Sequence, residues 1–72
     1  MKVYVEAYYS DNTPMLGNLD GQGVIHAKNY KRTKHYKGLS ARNTLNNKVA
    51  FYHIVSPSGA ILETITNRTH VS

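Results

Sequence analysis

"KVAFYHIVSPSGAILETIT", residues 48–66, is the stretch that decides the fold. Val49 to Val55 is a dense run of β-branched, aromatic and apolar residues, which favours a strand. Ser56-Pro57-Ser58-Gly59 places proline early and glycine last, the order a type I turn prefers. Ala60 to Thr66 then returns as a second strand, so the segment reads as a β-hairpin. Both runs carry apolar residues on both faces, which predicts a hairpin in the middle of a sheet rather than at its edge.

Working outward, Lys2 to Tyr9 alternates: Val3, Val5 and Ala7 share one face, and Tyr4, Glu6 and Tyr8 the other. Period two is the pattern of a half-buried strand. Ser10-Asp11-Asn12-Thr13-Pro14 ends it with turn formers. Residues 15–23 read as a loop with an Asp20-Gly21 turn, anchored by Leu16 and Leu19. Val24 to Tyr30 predicts another strand. From Tyr30 to Tyr36 a continued strand or an exposed loop is expected, with a basic helix closed by Gly38 as the alternative. Ser40 to Asn47 fits a short helix capped by Ser40. Residues 67–72 read as a frayed polar tail.

These elements predict a mainly β to α+β domain over residues 1–66. It is a small single antiparallel sheet or small barrel, with a C-terminal hairpin and at most one short helix. The expected core is Val3, Val5, Ala7, Leu16, Val24, Ile25, Leu39, Leu45, Val49, Phe51, Ile54, Val55, Ile61, Leu62 and Ile65.

Length and composition narrow the function. A chain of 72 residues makes one domain and buries a modest share of its surface. It has no cysteine, which excludes disulfides and thiolate metal sites and suits a reducing, cytoplasmic location. Residues 1–6 do not read as a signal peptide, and no apolar stretch is long enough to span a bilayer. The net charge is +5, and residues 21–62 hold seven cations and no carboxylate. Such a balance points to nucleic acid or an acidic protein as partner.

"YKRTKHYKG", residues 30–38, concentrates that charge. Phosphate contact needs cations, and base contact needs flat side chains. Lys28, Lys31, Arg32, Lys34, Lys37 and Arg42 supply the first; Tyr30, His35 and Tyr36 supply the second. A strand would set Tyr30, Arg32, Lys34 and Tyr36 in one row. The plainer alternative is a solvated strand whose lysines discourage edge pairing. Tyr4, Tyr8 and Tyr9, on or beside the outward face of the first strand, form a candidate protein interface, since tyrosine is enriched at interfaces. Homodimerisation there would help a small core.

Other chemistry has little support. No histidine pair has metal-ligand spacing, although His26 and His53 lie in predicted strands that a sheet could bring together. Two of the carboxylates fall in predicted turns, and no nucleophile elbow is present. GNLDGQG, residues 17–23, is no phosphate-loop motif. The sequence therefore predicts a non-enzymatic, cofactor-free and metal-free domain that binds DNA or RNA through phosphates with low sequence specificity. The alternative is a protein-interaction module docking its basic strip on an acidic or nucleic-acid-handling partner, as phage accessory or inhibitor proteins do.

Overall fold

The alternation of the first strand sets up the whole sheet. In the computed structural model, which describes residues 2–15, 21–40 and 49–68, four strands form one open antiparallel sheet. They are β1 (Lys2–Tyr8), β2 (Gly23–His26), β3 (Phe51–Val55) and β4 (Ile61–Thr66), in the spatial order β2-β1-β3-β4. A 3₁₀ turn (Tyr30–Arg32) and a helix, α1 (Lys34–Leu39), join β2 to β3. This is the small single sheet with one short helix that the residue pattern predicts.

Cross-strand register puts Val3 opposite Ile25, Val5 opposite Ile54 and Ala7 opposite Tyr52. Those residues are buried together with Met15, Leu39 and Val49. The pairing of Ala7 with Tyr52 is complementary in size: the small side chain leaves room for the ring, and both are fully buried. Tyr9, Tyr30, Tyr36 and Ile65 pack around this cluster. Beyond the end of β2, β1 keeps its ladder satisfied by other means. The Ala7 amide donates to the Gln22 side chain (3.0 Å), and the Ala7 carbonyl accepts from the Met15 amide (2.8 Å).

The hairpin turn closes as its sequence suggests. Gly59 donates to the Ser56 carbonyl (2.9 Å) and takes a positive φ of 92°, which suits a residue without Cβ. The hairpin is not wholly central, however. β3 lies inside the sheet and β4 is its edge. The register shifts between Ile54 and Val55: Ile54 pairs with Glu63 and Val55 with Ile61, so Leu62 is left over as a bulge. Ile61 and Leu62 are consequently 57% and 43% exposed, although the sequence places them in the core.

Val24 is likewise exposed, because it shares its face with Tyr4 on the uncovered side of the sheet. Phe51 and Val55 are half-buried on that same side. Tyr52 and Met15 take core places that the apolar pattern does not assign them. Asn67, read as the start of a polar tail, is buried, and its side-chain amide donates to the Val49 carbonyl (3.0 Å). Leu16, Leu19, Leu45 and most of the predicted 40–47 helix lie outside the described residues.

Candidate nucleic-acid interface

The strand expected to run on through Tyr30 stops at His26. Two side chains redirect it. The Asn29 carboxamide accepts the Lys31 amide (3.1 Å) and opens the 3₁₀ turn. Thr33 caps α1 by accepting the Tyr36 amide (3.2 Å), and its hydroxyl donates to the Tyr30 carbonyl (2.7 Å). Residues 28–37 are therefore a bend, a turn and a helix. The expected row of Tyr30, Arg32, Lys34 and Tyr36 along one strand face does not form. Gly38 lies inside α1, and Ser40 is the C-cap.

This route divides the basic segment into two sides. Lys28, Lys31, Arg32, Lys34 and Lys37 are exposed. Tyr30, His35 and Tyr36 turn inward and are half-buried. The Tyr30 and Tyr36 rings meet edge to face, with centroids 5.5 Å apart. Both hydroxyls donate to the Glu63 carboxylate: Tyr30 at 3.2 Å to one oxygen, Tyr36 by a short bond to the other. Bonds to an ionised acceptor are stronger than neutral ones. The Glu63 bond, then burial, pushes the Tyr36 phenol up to about 12. Burial, then the same carboxylate, raises Tyr30. His35 Nε2 contacts the Gly21 carbonyl; a carbonyl has no proton to give, so this nitrogen is the donor.

The two tyrosines thus bolt the segment to β4 of the sheet, the histidine ties it to the chain just before β2, and the cations stay exposed. Glu63 sits on the sheet face that the helix covers, opposite Ile54. Its sequence signal is slight: a carboxylate that alternates with Ile65 on one strand face, where apolar residues are expected. Among the described residues the ion pair is Lys31 with Glu63, at 4.0 Å. Arg42 lies outside the described residues.

The opposite face of the sheet is uncovered by any described element and carries Tyr4, Tyr8, Phe51, His53 and Val55. Tyr8 stacks on Phe51 with planes 4° apart and centroids at 5.2 Å, and meets His53 at a 45° tilt with centroids at 4.4 Å. The Tyr8 hydroxyl donates to Glu6 (3.0 Å), and the Lys2 ammonium stands 5.5 Å from the centre of the Tyr4 ring. Tyr4 and Tyr8 share this face, whereas Tyr9 packs against the core on the other. His26 and His53 flank β1 on opposite sides, opposite Lys2 and Glu6 respectively, so they are not neighbours. Among the described residues no three His, Asp or Glu side chains cluster as a metal site, and no helix is long and apolar enough to cross a membrane.

The fold and site define a class: an open four-stranded antiparallel sheet with a basic turn-and-helix segment fixed across one face. No protein-family model, curated protein or solved structure matches the chain.

Proposed function

We propose that the protein binds nucleic acid through the phosphate backbone, using the cationic ridge of residues 28–37, with low sequence specificity. One observation carries this reading. Lys28, Lys31, Arg32, Lys34 and Lys37 are exposed on one connected segment, and among them Lys31 alone stands near a described carboxylate. Unpaired cations held on a fixed backbone are what a phosphate strand needs, and each phosphate neutralised releases counterions. Tyr30, Tyr36 and His35 hold the ridge in place rather than stack on bases.

The test is fluorescence anisotropy of labelled duplex and single-stranded DNA and RNA across a salt series. If about five phosphates are neutralised, the log–log salt slope on duplex DNA is near −4.5. A Lys31→Ala, Arg32→Ala, Lys34→Ala variant flattens that slope by about 3 and weakens all sequences alike. Absence of binding at low salt overturns the reading and leaves the ridge to an acidic protein partner.

A further inference from the structure

β4 is an edge strand with an open side. Asn67 donates its amide to the Ala50 carbonyl (3.0 Å), continuing the β3–β4 register. Alternation in an antiparallel ladder then turns the backbone groups of Ile65 and Glu63 toward β3 and those of Thr64 and Thr66 outward. The next outward amide, that of Arg68, already has a partner: it donates to the Ser40 carbonyl at 2.6 Å. The outward N–H and C=O of Thr64 and Thr66 have none among the described residues. Beside them lies a cleft of about 480 Å³, with Tyr36, Lys37 and Ser40 on the helix side and residues 63–66 and Arg68 on the strand side.

We infer that this edge captures an extended acidic segment of another protein as a fifth strand. Three features select that occupant. Thr64 and Thr66 offer main-chain hydrogen bonds to any extended chain, the basis of recognition by strand addition. Lys37 and Arg68 are exposed at the cleft, while the nearby Glu63 is already taken up by two tyrosine hydroxyls and Lys31, so the free charge there is positive. Ile61 and Leu62, exposed at the start of the same strand, give apolar side chains a place to rest. A second copy of this chain fits worse, because pairing β4 with β4 would set two chains of net charge +5 side by side. The inference does not rest on nucleic-acid binding.

The probe is a fluorescein-labelled decapeptide alternating valine and glutamate, with its valine–lysine counterpart as control. The glutamate peptide is expected to bind at least about tenfold more tightly, and amide exchange at Thr64 and Thr66 to slow about tenfold or more on binding. Thr64→Pro removes an outward donor without touching the β3 ladder, so it should abolish peptide capture while leaving duplex anisotropy unchanged. Should that variant fail to fold, Arg68→Glu tests the charge, and exchange on the wild type tests the strand. Equal binding by Thr64→Pro overturns the inference, as does no binding of the glutamate peptide. Protection of Thr64 and Thr66 in the free chain overturns it too: with a dimer in sedimentation the occupant is a second copy, without one the chain itself.

Discussion

The two faces of the sheet come from the same strands by alternation, yet they are finished differently. One face carries Val3, Val5, Ala7, Ile25, Tyr52 and Ile54, all buried beneath the segment that holds Leu39, Tyr30 and Tyr36. The other carries Tyr4, Tyr8, Phe51, His53 and Val55, all half-buried, with the Tyr8, Phe51 and His53 rings in contact with one another. Glu63 belongs to the first face and Glu6 to the second, and each accepts from tyrosine hydroxyl. At Glu63 the bonds fasten one layer to another, whereas at Glu6 the bond stays within one strand. Burial in so small a sheet is concentrated on one side, and the cations of the covering segment stay exposed on its outer surface.

The largest effect should come from the covered face. Ile54→Ala removes a fully buried side chain and is expected to cost about 2–5 kcal/mol, a loss that leaves little or no cooperative thermal transition in a domain of this size. Equal tolerance of Ile54→Ala and Tyr4→Ala would break the comparison.

Next comes the fastening. Glu63→Ala leaves two half-buried hydroxyls without their acceptor and should cost about 1–3 kcal/mol in urea unfolding. It should also loosen residues 30–37 more than the strands, readable as faster amide exchange there.

Alkaline titration sharpens the same point. The Tyr36 phenol has a pKa raised from 10.0 to about 12 in the folded chain, and Tyr30 is raised as well. The unfolded chain binds protons less tightly at these groups, so their stabilisation is complete below pH 10 and lost as pH climbs toward 12. Unfolding midpoints followed across that window should fall in the wild type and fall less in Tyr36→Phe.

The smallest effect is expected on the open face. Tyr4→Ala should cost below about 1 kcal/mol by denaturant melt, since the ring rests against neighbours without being enclosed.

Much of this arrangement is legible in the residues. Alternation from Val3 to Ala7 marks β1 and its buried face, and Pro57 with Gly59 marks the hairpin. Two things are hidden. Leu62 reads as core because a bulge is a property of pairing: one unpaired residue between Ile61 and Glu63 alters the strand locally, and nothing in ILETIT announces it. The basic segment reads as strand-compatible because Tyr30, Arg32, Lys34 and Tyr36 alternate cleanly. Asn29 and Thr33, the two residues that cap its turn and helix, are visible in the sequence and are the better guide. With that route recognised, the exposed lysines separate from the inward tyrosines, whose partner Glu63 lies far along the chain and is unreadable by spacing.

The most direct measurement is an amide shift titration of the ¹⁵N-labelled chain with a short DNA duplex at low salt. Shifts are expected to concentrate at residues 28–37, while Tyr4, Tyr8, Phe51 and His53 stay still. Shifts centred on those four open-face residues, with the ridge unmoved, would contradict binding through the ridge.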